Sequence, residues 1–466
     1  MWCQGKRTVR TLQDGHAADT LGMHPEEMRR LAHWVVDRVV DHFAHGAEGP
    51  AVATRSPDEF LAILGGAAPE GPGDALSPMA ILVDVALGSM QHGDHPRYFA
   101  RVPGPSSFAA ALGEWLATGF NAIAASGPTA VELVVIDWLR SLVGMPEGTE
   151  GILTSGGSLA NMIGLLAARE TTGPWVGYLS DQTHASIRRD LVAMGVPPPH
   201  IRVLETDDRY RMPAEAVAKA VQADRRDGRR PAIVVATAGT TSTGAVDPLA
   251  ELADLCGSEE LWLHVDGAYG APAALCDKGR ALLAGVERAD SLVVDPHKWL
   301  FQPYDIGSLL VRRPGVLERT FDLSAEYLAD TTARKAEVDL HDRGPELRRR
   351  ARAIKLWLTF RVHGTGTIRA AIKRGIELAK HAERVLVSEG RWQVVTPAQL
   401  GIVTFALKGA GHEEHAATAA RLTRGGFAAV TSTTLHGMSA LRLCTINPRT
   451  TEADIEATIA RLAEPA

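Results

Sequence analysis

Short apolar runs alternate with amphipathic stretches from residue 151 to residue 312, and this alternation constrains the fold more than any other feature. Each run has the length of a strand, and the stretches between the runs carry apolar residues at helical spacing. We expect strands at residues 151–154, 175–179, 201–205, 232–236, 261–265, 292–294 and 307–312. The pattern predicts an α/β fold with a mainly parallel seven-stranded sheet and helices on both faces.

The chain on either side of this region shows other patterns. Residues 1–90 predict a helical N-terminal segment that is too thin to bury its apolar faces alone. It packs either on its own chain or on a second subunit, as a dimerisation element. We assign residues 91–363 to a large α/β domain and residues 364–466 to a small C-terminal α+β domain. The basic stretch 347–355, LRRRARAIK, is predicted as a solvated or interface face of a helix that begins at Glu346.

The composition disfavours several classes of function. A net charge of -6 and a pI of about 6.3 argue against nucleic acid as the main partner. No apolar run reaches the length of a membrane span, and residues 1–20 lack the apolar core of a signal peptide. The four cysteines are scattered without a CxxC pair. We therefore expect a cytoplasmic protein that binds neither nucleic acid nor membrane and has no structural zinc.

Lys298 follows the predicted strand 292–294 in the sequence Asp-Pro-His-Lys-Trp. The proline ends the strand because it has no N–H to donate to the sheet. A lysine at a strand end, between an imidazole and an indole, suits a Schiff base with an aldehyde. Attack on an aldehyde requires the free amine, so we expect burial or cationic neighbours to lower the pKa of Lys298. The alternative is a lysine whose stem covers apolar surface while its charge stays in water.

Other polar loops should meet Lys298, because ligands of parallel sheets bind beyond the carboxyl ends of the strands. Asp266 ends a predicted strand, and it either caps the next helix or pairs with a protonated pyridine nitrogen. The glycines at residues 155–158 lie between a strand and a helix, where they suit a single phosphate. His184 and Thr240 follow two further strands. His184 is either a structural residue or stacks on a flat cofactor ring, and Thr240 is expected close to that ring.

The loop at residues 92–107 is rich in histidine, proline and aromatic residues. Loops of this kind often line binding sites, so we expect His95, Tyr98 and Phe99 to contact the substrate. His92 and His95 lie three residues apart, but no third ligand is evident, and we expect no metal here.

Seven motifs occur at suitable spacings along the chain. They are Asp266-x-Ala-Tyr, Asp295-Pro-His-Lys-Trp, Ser155-Gly-Gly-Ser-Leu-Ala-Asn, His95-Pro-x-Tyr-Phe, Ser180-Asp-Gln-x-His, Arg349-Arg-x-Arg-x-x-Lys-x-Trp and Asn447-Pro-x-Thr. Together they resemble the pyridoxal-phosphate-dependent amino-acid decarboxylases of group II, related to aromatic-L-amino-acid decarboxylase. The similarity runs from about His24 to the C-terminus. It implies fold type I, pyridoxal 5'-phosphate as cofactor, and an obligate homodimer with its active site at the subunit interface.

The resemblance also implies a role for each matching residue. Lys298 would form the Schiff base with the cofactor, and Asp266 would pair with the pyridine nitrogen. Ala268 would pack beneath the ring, and His184 would stack on its other face. Tyr327 matches a mobile-loop tyrosine that helps to protonate Cα after carbon dioxide leaves. The residues assigned to the phosphate or to the vicinity of the cofactor are Gly157, Ser158, His297 and Thr240.

The reaction that the resemblance implies is decarboxylation of an L-amino acid, aromatic by family frequency, to its amine and carbon dioxide. Gly93 stands about where animal aromatic decarboxylases carry tryptophan, and residues 121–126 are less aromatic than their counterpart. Both differences alter the expected substrate pocket. One alternative is an oxygen-dependent decarboxylation-deamination to an aldehyde, and another is a non-enzymatic scaffold. Tyr327 and His184 favour the amine-forming reaction, because aldehyde-forming relatives often replace one of them.

Overall fold

The structure is a computed structural model that describes residues 21–71, 73–122, 126–173, 176–321 and 338–464. The chain divides into two compact units. One unit contains residues 1–48 and 55–90, and the other contains residues 49–54 and 91–466.

The first unit is helical where it is described. Its helices are α1 (Pro25–His45), α2 (Pro57–Leu64) and α3 (Leu76–Gly88). Both α1 and α2 begin with proline, which needs no partner for its nitrogen at a helix start. The side chains of His24 and Ser56 cap these two helices by accepting a backbone N–H. The helical N-terminal segment that the sequence predicts is therefore present.

The second unit is built on a seven-stranded sheet. Its strands are β1 (Glu150–Thr154), β2 (Val176–Ser180), β3 (Ile201–Leu204), β4 (Pro231–Thr237), β5 (Trp262–Asp266), β6 (Ser291–Val294) and β7 (Gly307–Val311). Their order across the sheet is β1-β7-β6-β5-β4-β2-β3. The pairs from β6 to β3 are parallel, and β7 runs antiparallel to both of its neighbours. The predicted fold class, a mainly parallel seven-stranded sheet, is confirmed.

Both faces of this sheet are buried, which explains the continuous apolar runs of its strands. Successive residues of a strand point to opposite faces. In β4, Ile233 and Val235 join one hydrophobic cluster, whereas Val234 and Ala236 join another. The helices of the second unit are α4 (Phe108–Thr118), α5 (Gly127–Val143), α6 (Gly157–Thr172), α7 (Ala185–Ala193), α8 (Ala214–Arg226), α9 (Leu249–Ser258), α10 (Asp277–Leu282), α11 (Pro296–Trp299), α12 (Val316–Phe321), α13 (Ala353–Glu389), α14 (His412–Arg424) and α15 (Glu452–Leu462).

A second sheet lies in the C-terminal part of the chain. Its strands are β8 (Trp392–Gln399), β9 (Ile402–Leu407), β10 (Thr431–Leu435) and β11 (Met438–Cys444). All neighbours are antiparallel, in the order β10-β11-β9-β8. With α14 and α15 this sheet forms the α+β arrangement that was expected. The break expected near residue 364 is present within α13, where Gly364 has φ 72° and ψ 159°. The proposed domain boundaries stay predictions.

The basic stretch 347–355 is not the face of a helix, and this prediction was wrong. Helix α13 begins near the end of the stretch, and the preceding arginines form ion pairs. Arg349 Nη2 lies 2.7 Å from Glu132 Oε1, and Arg352 Nη1 lies 2.9 Å from Glu346 Oε2. Both arginine side chains are buried, and a buried charge requires such a partner. In the described part of the chain, no helix is both long and apolar enough to span a membrane.

Candidate active site

A cavity of about 410 Å³ lies at the carboxyl ends of the parallel strands. Loops after β1, β2, β4, β5 and β6 line it, as expected for a ligand site in an open α/β sheet. Of the residues that the sequence analysis singled out, the cavity brings together Gly157, Ser158, His184, Asp266, Ala268, His297 and Lys298. Five loops that are far apart in sequence thus meet at one place.

Lys298 lies in the short helix α11, directly after β6. Its Nζ atom is 3.2 Å from Oδ2 of Asp295. Burial lowers the pKa of Lys298, but the carboxylates of Asp295 and Asp266 raise this pKa more, so the net pKa lies above its usual value. The expectation of a lowered pKa for Lys298 is wrong for the protein without cofactor. The reason is the carboxylate of Asp295, three residues before the lysine. Asp295 therefore holds Nζ of Lys298 in its ammonium form.

Aromatic packing anchors the segment that carries Lys298. The rings of Trp299 and Tyr269 stack with their centroids 5.1 Å apart and their planes at 12°. The hydroxyl of Tyr269 accepts a hydrogen bond of 2.7 Å from the backbone N–H of Gly401. Trp299 is completely buried. The packed core next to Lys298 thus fixes the backbone that carries it. Functional sites need supporting residues of this rigidity.

Asp266 ends β5, and its side chain is almost completely buried while it lines the cavity. Its Oδ1 accepts a hydrogen bond of 3.1 Å from the backbone N–H of Ala268. Its Oδ2 accepts a hydrogen bond of 3.3 Å from Nδ2 of Asn161. These two donors fix the orientation of the carboxylate. Asp266 can therefore present a negative charge to a cationic group in the cavity.

The first residues of α6 form the part of the cavity that suits an anion. No side chain caps this helix, and Gly157, Ser158 and Leu159 at its start all line the cavity. Uncapped N–H groups at a helix N-terminus bind phosphate. A Cβ at residue 157 would come within 2.6 Å of Oδ2 of Asp295, so the glycine leaves room for this carboxylate. Ser158 is exposed to the cavity and adds a hydroxyl.

His297 lies beside the start of α6. Its Nδ1 donates a hydrogen bond of 2.6 Å to the carbonyl of Ile306, and its ring packs against Tyr304 with centroids 4.8 Å apart. Its Nε2 is 3.6 Å from Oδ2 of Asp295. Burial lowers the pKa of His297. The carbonyl fixes the ring orientation, so that Nε2 is the nitrogen left for the cavity.

His184 has a structural contact as well as a place in the cavity. It precedes α7, and its Nδ1 accepts hydrogen bonds from the N–H and the hydroxyl of Ser186, at 3.3 and 2.8 Å. The bonds to Nδ1 assign the ring proton to Nε2. The exposed ring lines the cavity. Both interpretations of His184 from the sequence, a structural residue and a neighbour of a flat ring, are compatible with this geometry.

Thr240 does not line the cavity with its side chain. Its hydroxyl lies 2.7 Å from that of Thr243 and accepts a hydrogen bond from the N–H of Ala245 within the same turn. The neighbouring Thr241 is exposed and lines the cavity instead. The expected closeness of Thr240 to the cofactor stays a prediction, and the exposed hydroxyl that faces the cavity belongs to Thr241. A run of threonines in a turn does not reveal which of them faces outward.

His95, Tyr98 and Phe99 do not line the cavity, and all three are buried elsewhere. The Tyr98 hydroxyl donates to Gln91 Oε1 at 2.9 Å, and Phe99 packs into the core of the C-terminal α+β part. Nε2 of His95 is 3.2 Å from the carbonyl of Gly49. These contacts support the fold, so their assignment to the substrate stays a prediction without support from this geometry. Tyr327 lies outside the described residues.

Two lining residues were not given a role at the sequence level. Asp295 was interpreted as the end of a strand, although its spacing of three from Lys298 on a helical turn was a usable signal. Asn161 was noted merely as part of a motif. Its contact with Asp266 joins residues 105 positions apart, which local sequence patterns do not reveal.

Comparison with known proteins agrees with this geometry. The model of the pyridoxal-dependent decarboxylase conserved domain matches residues 67–408. This chain belongs to the pyridoxal-dependent decarboxylase family. It is accordingly an enzyme that decarboxylates an amino acid with pyridoxal phosphate.

Members of this family resemble the chain over nearly its whole length. An aromatic-L-amino-acid decarboxylase of Bacillus atrophaeus is 42% identical over 456 residues, which cover 94% of this chain and 95% of the relative. A phenylacetaldehyde synthase of Arabidopsis thaliana is 31% identical, covering 86% of this chain and 87% of the relative. The structure of Oryza sativa TDC with PLP and tryptamine superposes with a TM-score of 0.89 at 27% identity. The superposition covers 94% of this chain and 97% of that chain. The fold type I assignment is thereby confirmed.

The lining residues fit pyridoxal phosphate. The cavity offers a lysine for the aldehyde, a carboxylate for the pyridine nitrogen and an uncapped helix start for the phosphate. It also contains the hydroxyl of Thr237, which is buried and has no hydrogen-bond partner among the described residues. A buried polar atom without a partner is rare in folded proteins, and a ligand at this place would supply one.

Proposed function

We propose that the protein converts an aromatic L-amino acid into the corresponding amine and carbon dioxide. The 42% identity to a relative named aromatic-L-amino-acid decarboxylase supports the aromatic substrate. The observation that carries the chemistry is the placement of Lys298 and Asp266 on the same cavity. An amine and an acid on one small cavity suit the aldehyde and the nitrogen of a single pyridine ring.

Bound pyridoxal phosphate supplies an electron sink for the bond that breaks at Cα. Two hydrogen-bond donors fix the carboxylate of Asp266, which would pair with the pyridine nitrogen. The N–H groups at the start of α6 would bind the phosphate, and His184 lines the same cavity. These residues would fix the orientation of the cofactor, relative to which the substrate bond that breaks is selected.

Asp295 has a role in the handling of protons. When Lys298 is free, Asp295 Oδ2 at 3.2 Å stabilises a proton on Nζ. That proton is available for transfer within the cavity. We assign the protonation of Cα to Tyr327 on the basis of the family resemblance, with Lys298 and Asp295 as the local proton store.

Formation of an aldehyde is the second candidate, because a phenylacetaldehyde synthase is among the relatives. The ring of His184 in the cavity and the presence of Tyr327 in the chain favour the amine. The variant Tyr327→Phe should slow amine formation and raise the aldehyde output. Amine, aldehyde and peroxide are quantified in parallel. An unchanged ratio of amine to aldehyde in this variant would contradict the role assigned to Tyr327.

We further propose that the enzyme works as a homodimer with its active site at the subunit interface. Helix α4 has large apolar side chains that are 41% to 62% exposed at Leu112, Trp115 and Leu116. Their spacing of three and four puts them on one face of the helix. An exposed apolar face of this kind is typical of a protein–protein contact.

The proposed location is the cytoplasm. Cys256, Cys276 and Cys444 are buried and unpaired among the described residues. Buried free thiols are compatible with a reducing compartment, where disulfides are rare.

The substrate proposal is tested by a screen of L-amino acids for carbon dioxide release, with the product identified by mass. We expect L-tryptophan, L-tyrosine, L-phenylalanine or a hydroxylated analogue to react fastest and to give an amine. A clear preference for an acidic amino acid such as L-glutamate would overturn the aromatic assignment while leaving the decarboxylase family intact.

A further inference from the structure

A chain of buried side chains leads from the sheet to Asp266. The indole Nε1 of Trp262 lies 2.8 Å from Oγ of Ser291, and this hydroxyl lies 2.7 Å from Nδ1 of His264. The other ring nitrogen, Nε2 of His264, lies 2.9 Å from Oδ1 of Asn161. Nδ2 of Asn161 then donates to Oδ2 of Asp266 at 3.3 Å. Four contacts thus link β5 and β6 to the carboxylate.

The groups at the two ends of this series of hydrogen bonds determine which atom is the donor in each bond. An ionised carboxylate accepts hydrogen bonds, so the amide nitrogen of Asn161 must face Asp266. The amide oxygen of Asn161 then faces His264, whose Nε2 must carry the ring proton. Nδ1 of a neutral His264 is an acceptor, so the Ser291 hydroxyl donates to it. The donors therefore all point towards Asp266.

The surroundings of His264 enforce the neutral ring that this polarity requires. His264 is fully buried in β5, and burial lowers its pKa to about 4. Gly164 of α6 faces the ring, and a Cβ at this position would come within 2.7 Å of Cε1 of His264. The glycine allows the imidazole to fit beneath the helix that also carries Asn161.

At the other end of the chain, Trp262 restricts Ser291. An indole N–H is a donor and never an acceptor, so it occupies a lone pair of the Ser291 oxygen. The hydroxyl proton is thereby directed to the ring of His264. A network whose members are all satisfied is rigid, and it specifies one arrangement.

We propose that Asn161, His264 and Ser291 form a positioning relay that keeps the carboxylate of Asp266 aimed at the pyridine nitrogen of the cofactor. This inference rests on the proposed function, because it concerns the same site. Without the relay, the Asn161 amide can rotate and present its oxygen to Asp266, which would repel the carboxylate. None of the three residues is assigned a bond-breaking step; they act through Asp266.

The test uses the full-length protein loaded with pyridoxal phosphate that carries ¹⁵N in the ring. The ¹⁵N chemical shift reports whether the pyridine nitrogen is protonated, and a titration of the apoprotein gives the cofactor dissociation constant. Asn161→Leu removes the donor at similar volume, and Ser291→Ala removes the group that orients His264. Ser308→Ala is the control, because Ser308 is a buried strand serine whose hydroxyl has no partner among the described residues.

We expect Asn161→Leu to raise the dissociation constant about tenfold, in line with the loss of a group that orients a ligand-binding side chain. The ¹⁵N signal should move towards the unprotonated position in Asn161→Leu and, to a smaller extent, in Ser291→Ala. Ser291→Thr restores the hydroxyl and should restore the signal, and Ser308→Ala should match the parent protein.

Parental affinity and a parental ¹⁵N signal in folded Asn161→Leu and Ser291→Ala would overturn the relay. If Asn161→Leu does not fold, the pair Ser291→Ala and Ser291→Thr decides by itself. A parent protein that takes up no pyridoxal phosphate would contradict the proposed function instead, so the two failures are distinguishable.

Discussion

Oδ2 of Asp295 lies 3.2 Å from Nζ of Lys298, inside the cavity where the cofactor is expected. The two residues are three positions apart at the end of β6, and the carboxyl group is almost completely buried. A carboxylate at this distance stabilises the ammonium form, which does not attack an aldehyde. We therefore expect Asp295 to control when Lys298 becomes a nucleophile.

Replacement of Asp295 should change the pH dependence of cofactor capture. Because Asp295 raises the pKa of Lys298, Asp295→Asn should lower this pKa and make the free amine available at lower pH. We expect the pH at which the apoprotein reaches half of its maximal rate of cofactor capture to fall. Stopped-flow absorbance measures the rate, and Asp254→Asn, which removes an exposed carboxylate paired with Arg288, is the control. A pH of half-maximal capture that stays or rises contradicts the role of Asp295.

The start of α6, where we place the phosphate, should not tolerate a side chain at residue 157. A Cβ there would come within 2.6 Å of Asp295, whereas a Cβ at Gly127 would meet nothing within 4 Å. Both glycines are the first residue of a helix, so Gly127→Ala is a matched control. Because the added methyl group must displace Asp295 or the start of α6, Gly157→Ala should weaken cofactor binding about tenfold. Equal affinity in the two variants would contradict the placement of the phosphate at the start of α6.

The stability of the protein should depend on the protonation of His264. Burial lowers the pKa of His264 to about 4, so the unfolded chain binds this proton more readily. The contribution is fully present above the ordinary pKa of about 6.5 and is lost as the pH falls towards about 4. From pH 7 to pH 5 we expect His264 to account for a loss of about 2 kcal/mol in unfolding free energy.

Urea unfolding of the apoprotein at several pH values checks this expectation, with His264→Gln as the variant that cannot titrate at this position. The variant should lose less stability between neutral and mildly acidic pH than the parent protein does. Parallel stability curves for the two proteins would show that His264 is not buried in its neutral form.

The apolar face of α4 should be required for dimer formation. Trp115→Glu places a charge on this face, where Trp115 is 49% exposed in the single chain. We expect sedimentation velocity to show a monomer, with loss of decarboxylase activity if the site lies at the interface of the proposed dimer. Val387→Glu introduces the same charge at a residue that is 63% exposed on α13, and this control should stay dimeric. A dimeric Trp115→Glu protein would exclude this face.

The architecture of the sheet could be predicted because each buried strand is visible in the sequence as a short apolar run. Its seven strands are apolar runs that end at small or polar residues, and parallel pairing then brings the loops after β5 and β6 to one edge. Asp266 and Lys298 were placed in one site by this argument. Strand β10, Thr431–Leu435, was missed because its sequence TSTTL is polar and it lies at the edge of its sheet.

Features that depend on distant partners could not be predicted. Arg349 lies in a non-helical stretch because it pairs with Glu132, 217 residues earlier in the chain. The contact of Asn161 with Asp266 and the inward side chain of Thr240 likewise depend on tertiary structure. The direction of the pKa shift of Lys298 was wrong for another reason: a local carboxylate outweighs the effect of burial.

The most direct test of the account is to reduce the cofactor-loaded protein with borohydride and to locate the modified residue by peptide mass spectrometry. Reduction fixes a Schiff base between pyridoxal phosphate and a lysine. The account predicts one modified peptide, with the added mass on Lys298, and no modification or turnover in Lys298→Ala. Added mass on another lysine such as Lys355, or normal turnover in Lys298→Ala, would contradict it.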